Sequence, residues 1–220
     1  MPNKPEATYS GCIFVDIEIA PLDLTDKELI RYLIFKQTNT LNPIFSRIIV
    51  IGTAEPGKAP KQFYGENEKK ILEDFWKEMA DRNPVKFITF NGYGFDIPFI
   101  YVRSRIKKVR PTVEISTYKY GMEKSNHFDC MLALSHYGIF PWVSLEVLCK
   151  THGIPVPEDR ESGEMIANLY EKRDWKAILE HNKVCLKLTE KLYENCCGPI
   201  IPLVKRQIYT RGSETSRVQV

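Results

Sequence analysis

The stretch FVDIEIA, Phe14 to Ala20, sets two acids, Asp16 and Glu18, two residues apart in a run otherwise made of Phe, Val, Ile and Ala. Such a run reads as a buried strand. Successive strand side chains point to opposite faces, so Asp16 and Glu18 share one face with Phe14, while Val15, Ile17 and Ile19 occupy the other. Phe14 on the acid face argues against a freely solvated face and places the acids toward the strand's end, where side chains emerge into a cleft. Pro21 closes the strand. Two close carboxylates in partly dry surroundings repel each other unless protonated or bridged by a cation, and a hard divalent metal is the usual solution. An edge strand with a polar face is the alternative that this stretch leaves open.

Working outward, 220 residues with 43% hydrophobic content suit one well-buried domain better than two. The expected organisation is a loose leader over residues 1–10, one domain over 11–203 and a basic mobile tail over 204–220. No apolar run approaches a membrane span, and MPNKPEATYS lacks both a signal-peptide core and an Arg-rich amphipathic pattern, which points to a cytoplasmic protein. Cys12, Cys130, Cys149, Cys185, Cys196 and Cys197 form no CxxC pair, so reduced, packed thiols are expected rather than disulfides or zinc knuckles. Lys205, Arg206, Arg211 and Arg217 against Glu214 carry the whole net charge of +3. The body is near neutral, and global charge does not announce nucleic acid.

The chain after the acid-bearing strand carries further strand and helix signals. TDKELIRYLIF opens with a capping box, Thr25 and Glu28, and predicts an early helix. SRIIVIGTAE and KQFYG predict two more strands, joined by the turn EPGKAP. Glu66 to Arg82 predicts a helix with Ile71, Leu72, Phe75, Trp76 and Met79 on one face, stopped at Asn83-Pro84. VKFITFN is a fourth strand, and DIPFIYVRSRIKK a helix with Pro98 in its first turn. Arg110 to Asn126 reads as irregular, HFDCMLALSHYG as strand-to-helix or helix, and SLEVLCKTHG as a short helix capped by Gly153. GEMIANLYEK is another helix. A last helix begins near Asp174 and carries Ile178, His181, Cys185, Leu188 and Leu192 along an inward stripe.

FNGYGFDIPFI follows the fourth strand directly. Gly92 and Gly94 permit a tight turn, and Asn91 and Asp96 are delivered to the sheet's end and a helix's start. An isolated Asp there would ordinarily be a helix cap. Together, FVDIE, FNGYGFD and a late helix with spaced polar residues resemble the DEDD 3′–5′ exonucleases, specifically the group similar to the proofreading domain of family B DNA polymerases. The likeness runs from Cys12 to about Tyr193 and includes NPIFSRIIVIG, HFDCMLALS and SLEVLCKTHGIP.

That resemblance implies an α/β, ribonuclease H-like fold: a central mixed sheet of five or six strands, the first three antiparallel, with helices on both faces. It implies two divalent ions, Mg²⁺ or Mn²⁺, with Asp16 bridging them, Glu18 on the first and Asp96 reaching the second. It also implies two-metal hydrolysis at the 3′ end of single-stranded DNA or RNA. The family's third motif is a Tyr with an Asp four residues on; here His181 and Cys185 occupy those places in HNKVC. Catalytic candidates are therefore Asp16, Glu18, Asp96 and His181, and metal ligands Asp16, Glu18, Asp96 and Cys185. A thiolate is too soft for Mg²⁺, so the first ion is expected to bind weakly, and a His–Cys pair facing the acids favours Zn²⁺ or Mn²⁺ over Mg²⁺ unless Cys185 is simply packed.

Asn91, Tyr93 and Phe95, with Arg103, Arg105, Lys107 and Lys108 from the basic run VRSRIKKVR, are the nucleic-acid-binding candidates, against core packing and a solvated helix face as the plainer readings. Asp129 is a reserve carboxylate. Two functions follow: a metal-dependent exonuclease, or an impaired exonuclease fold that binds nucleic-acid ends or partner proteins without cutting.

Overall fold

The computed structural model describes residues 11–27, 30, 41–83, 86–157 and 165–197. The leader, the tail and most of the early helix lie outside them. Five strands form one sheet: β1 (Cys12–Pro21), β2 (Ser46–Ala54), β3 (Lys61–Tyr64), β4 (Lys86–Thr89) and β5 (His127–Asp129), in the order β3-β2-β1-β4-β5. β1 pairs antiparallel with β2, and β2 with β3; β1 pairs parallel with β4, and β4 with β5. The acid-bearing strand is thus central, which removes the edge-strand reading.

Helices α1 (Glu68–Arg82) and α2 (Asp96–Ile106) cover one face of the sheet, where Ile13, Val15 and Ile17 pack with Leu72, Phe75, Trp76 and Ile100. Short helices α3 (Cys130–Leu134), α4 (Leu145–Thr151) and α5 (Ile166–Glu171) and the long α6 (Trp175–Leu192) serve the other face. Local chemistry sets their ends. Asn67 and Asp174 cap α1 and α6 by accepting from the Lys70 and Ala177 amides, and Asn83 ends α1 in the left-handed region at φ 44°. HFDC proves to be strand-to-helix, with Asp129 accepting from the Leu132 amide at 3.1 Å to cap α3. Gly153, at φ 68°, follows α4 as expected.

One feature of β2 defeats simple alternation. The β1–β2 register passes from Glu18↔Val50 to Ile19↔Ile48, so Ile49 is an extra residue on β2. Ile49 and Val50 consequently join one cluster, while Ile48 and Ile51 join the cluster on the opposite face. Cys12, Cys130, Cys149 and Cys185 are free thiols, the last three buried. Among those residues, no helix is long and apolar enough to cross a membrane.

Candidate active site

The acid face of β1 lies under α6. Residues 14, 16, 18 and 20 each meet the helix system: Phe14 touches the Tyr193 ring edge-on at 6.0 Å, and Ala20 shares a cluster with Ile178. Between them, Asp16 Oδ2 accepts from Asn182 Nδ2 at 2.8 Å and Glu18 Oε1 lies 3.8 Å from His181 Nε2. The strand's period of two and the helix's inward stripe therefore bring acids against polar residues, with apolar packing at both ends. Glu18 and His181 are each only 6% exposed.

Asp96 arrives from the other side. β4 pairs with β1 only as far as Phe14. Beyond that point the chain peels away through FNGYGFD, and the Ile17 amide, which faces the gap, donates to Asp96 Oδ1 at 3.1 Å. Asp96 is thus the first residue of α2 and bonds across to β1 instead of capping its own helix; the N-cap, Phe95, makes no side-chain cap bond. Burial first, and then the neighbouring Asp16 carboxylate, push the Asp96 carboxyl well above its ordinary value. Two carboxylates held together at such cost fit a hard divalent cation, which would relieve the repulsion.

The glycines of FNGYGFD serve close approach. The left-handed residue is Asn91, at φ 64°. A Cβ on Gly92 would lie 2.1 Å from Thr89 Oγ1, and one on Gly94 would lie 2.5 Å from Asn91 Oδ1. Asp129 holds this loop: its oxygens accept from the Asn91 amide at 3.0 Å and the Tyr93 amide at 3.1 Å. Burial raises the Asp129 carboxyl and those amides partly offset it.

Behind it, His127 Nδ1 donates to the Ser116 carbonyl at 2.7 Å and Nε2 shares a hydrogen bond with the Thr89 hydroxyl at 2.8 Å. Burial lowers its pKa to about 4.

Two residues that the sequence reading passed over complete the site. Asn182 bonds both the Asp16 side chain and, at 3.3 Å, its carbonyl. Gln62 of β3 steadies it, donating to Asn182 Oδ1 at 2.9 Å and to the Leu179 carbonyl at 2.8 Å. Asn182 is four residues after Ile178 on the inward stripe, and a buried amide in such a place must find partners.

The expected nucleic-acid contacts divide. Arg103 must be withdrawn: it is 2% exposed and its guanidinium makes paired bonds to Glu68 at 2.8 and 2.6 Å and one to the Pro43 carbonyl. Burial pushes the Glu68 carboxyl up, but Arg103, the Ile48 amide and Lys107 together hold it below its ordinary value. Lys107 lies 3.3 Å from the same carboxylate. Arg105 and Lys108 are exposed, yet at 1.5 Å per helical residue Arg105 lies about 14 Å along α2 from Asp96, and Lys108 follows the helix's far end. Asp96 and these exposed bases thus sit toward opposite ends of α2.

Phe95 is half-buried against Phe99. Tyr93 packs on the His127 ring at 4.1 Å and donates to the His127 carbonyl at 2.8 Å.

Asn91, Tyr93 and Gly94 instead line a cavity of about 320 Å³ with Lys119, Tyr137 and Trp142. Tyr137 stands at φ 61°, strained for an aromatic residue, and Trp142 is exposed. SHYGIFPWV carries these rings, and its aromatic density between two helices was the available signal.

A mixed sheet whose central strand bears two acids, with a third delivered from the helix after β4, is an α/β domain of the ribonuclease H-like fold. Residues 47–189 match the family described as "Predicted 3'-5' exonuclease related to the exonuclease domain of PolB", and the chain belongs to that family. Asp96, His181 and Cys185 lie inside the matched span, Asp16 and Glu18 before it. An uncharacterized protein of Methanocaldococcus jannaschii is 29% identical over 167 residues, covering 72% of this chain and 90% of that protein. The catalytic polypeptide of DNA polymerase epsilon from Eremothecium gossypii is 36% identical over 73 residues, which are 31% of this chain and 3% of that polypeptide. The family B DNA polymerase of Pyrobaculum calidifontis shares the fold with a TM-score of 0.56 at 16% identity, over 82% of this chain and 24% of the polymerase. The chain thus spans only a small part of either polymerase.

Proposed function

We propose that this protein is a metal-dependent 3′–5′ exonuclease of single-stranded nucleic acid, DNA in the first instance and RNA as a second substrate. The observation that carries the reading is the convergence of Asp16, Glu18 and Asp96 where β1 emerges from beneath β4, with α6 over them. Divalent ions bound there, Mg²⁺ or Mn²⁺ at Asp16 and Asp96, would supply charge for an attacking water and a leaving oxygen. In the reaction, water oxygen bonds to phosphorus, the bond from phosphorus to the 3′ oxygen breaks, and that oxygen takes a proton. The product is a 5′-mononucleotide and a strand shortened by one.

The chain's own residues have separable parts. Asn182 and Gln62 fix the Asp16 carboxylate; the Ile17 amide fixes Asp96; Glu18 and His181 orient the water. Asn91, Tyr93 and the rings of Tyr137 and Trp142 receive the terminal bases, since aromatic faces stack every base without reading sequence. Arg105, Lys107 and Lys108 attract backbone farther along the strand. The second reading, an end-binding protein that does not cut, is favoured by one observation: Cys185 stands where related exonucleases carry an acid. A 5′-labelled single strand separates the two. One-nucleotide shortening from the 3′ end that vanishes in Asp16→Ala supports the enzyme. Tight binding by wild type with no metal-stimulated shortening refutes it.

A further inference from the structure

We infer that Glu18, His181 and Cys185 form a three-ligand site for a borderline transition-metal ion of the Zn²⁺ class, in place of a hard-ion site. The argument begins with the donor set. One carboxylate oxygen, one imidazole nitrogen and one thiol sulfur lie within 4.8 Å of one another, and all three residues are buried. Cys185 Sγ is 3.5 Å from His181 Nε2, which is 3.8 Å from Glu18 Oε1. With metal bonds of about 2.0 Å to nitrogen or oxygen and 2.3 Å to sulfur, the edges of a tetrahedron are about 3.3 to 3.5 Å. The sulfur–nitrogen separation already has that length; the nitrogen–oxygen one needs about half an ångström and the sulfur–oxygen one, at most 4.8 Å, no more than about 1.3 Å (4.8 − 3.5), a movement of the Glu18 side chain.

Chemistry agrees with geometry. Mg²⁺ takes oxygen ligands in octahedral array, and a thiolate with an imidazole is a poor set for it. The same pair with one carboxylate is a common zinc environment, and three protein ligands leave a fourth position open to water or a phosphate oxygen. The scaffold is stiff: His181 and Cys185 are one turn apart on α6, and Glu18 projects from the central strand. The substitution at the third motif would then have changed which ion the site selects while keeping a cation there. His181 would act as a ligand, and orienting the water would pass to the ion's open position. The catalytic consequence rests on the exonuclease reading, but the binding does not.

The test is Co²⁺ titration of metal-stripped full-length protein, read by absorption. One equivalent should raise a near-ultraviolet thiolate-to-cobalt band, and Zn²⁺ should abolish it by displacement. Cys185→Ser should remove the band and weaken binding at least about tenfold, His181→Ala should weaken binding similarly, and Cys12→Ser should change neither. Circular dichroism checks that each variant is folded, and Cys185→Asp should bind without the band. Co²⁺ bound with no thiolate band, or a band that survives in Cys185→Ser, overturns the proposal and leaves Cys185 hydrogen-bonded to His181. A protein that shows the band yet cuts no strand supports this site while refuting the exonuclease reading.

Discussion

Replacing Gly52 with alanine should dislocate the site from behind. Gly52 lies opposite Asp16 on β2, and its missing side chain is the space that Asn182 occupies. A Cβ there would stand 2.0 Å from Asn182 Oδ1 and 2.8 Å from Leu186 Cδ1, against the 3.4 Å at which ordinary contact begins. The amide must therefore retreat by about 1.4 Å (3.4 − 2.0). Its two shortest bonds are at risk, to the Asp16 carboxylate at 2.8 Å and from Gln62 at 2.9 Å. A bond to a charged group contributes about 1.5 to 3 kcal/mol and a neutral one about 0.5 to 1.5, so Gly52→Ala should cost about 2 to 4.5 kcal/mol by urea unfolding. The penalty should be conditional. In an Asn182→Ala background the obstructed amide is gone, only the end of the Leu186 side chain must yield, and the added methyl should cost clearly less. Hydrolysis should fall by about a hundredfold, since an ångström of misplacement in a catalytic group has that effect. Equal costs in the two backgrounds would refute the claim that Asn182 positions Asp16.

Other consequences follow from the buried charges and rings. Neutral His127 contributes stability that is complete above pH 6.5 and lost as pH falls through about 4; the gap corresponds to an order of 3 kcal/mol, and His127→Gln should lack this dependence in urea titrations across pH. For Asp96 the sign is opposite: its raised carboxyl makes the metal-free fold lose stability as pH rises above about 4, and Asp96→Asn should flatten that slope in chelator while abolishing stabilisation by Mn²⁺. An unchanged slope would sink this account of the Asp16–Asp96 pair. Arg103→Met strands the Glu68 carboxylate and should destabilise by about 3 to 5 kcal/mol, with strand affinity per folded molecule unchanged; a selective loss of affinity would return Arg103 to the binding surface. Trp142→Ala should weaken single-strand binding by about 1 to 3 kcal/mol in fluorescence anisotropy, and no change would remove the cavity from the substrate path.

Much of this arrangement is legible from periodicity. Alternation along FVDIEIA puts both acids with Phe14, and the stripe from Ile178 to Leu192 puts His181 and Cys185 opposite them. What periodicity cannot give is lateral placement. Nothing local marks Ile49 as a bulge residue, because its neighbours are equally apolar and only the register with β1 reveals the extra residue. Arg103 reads as one base in a basic run; its partner Glu68 is remote in sequence, and burial of the pair depends on how α1 and α2 meet. Asn182 lay on the inward face in plain view, yet its role requires knowing that Gly52 makes room for it. The rings of SHYGIFPWV gain meaning only when the loop is seen beside Asn91.

The central claim is tested most directly by nucleotide release from a 3′-labelled single strand in Mg²⁺, Mn²⁺ and Zn²⁺, comparing wild type, Asp16→Ala and Cys185→Asp. The account predicts release by wild type, its loss in Asp16→Ala, and a stronger response to Mg²⁺ in Cys185→Asp than in wild type. Equal release by wild type and Asp16→Ala, or no release by wild type under any of the three ions, would contradict it.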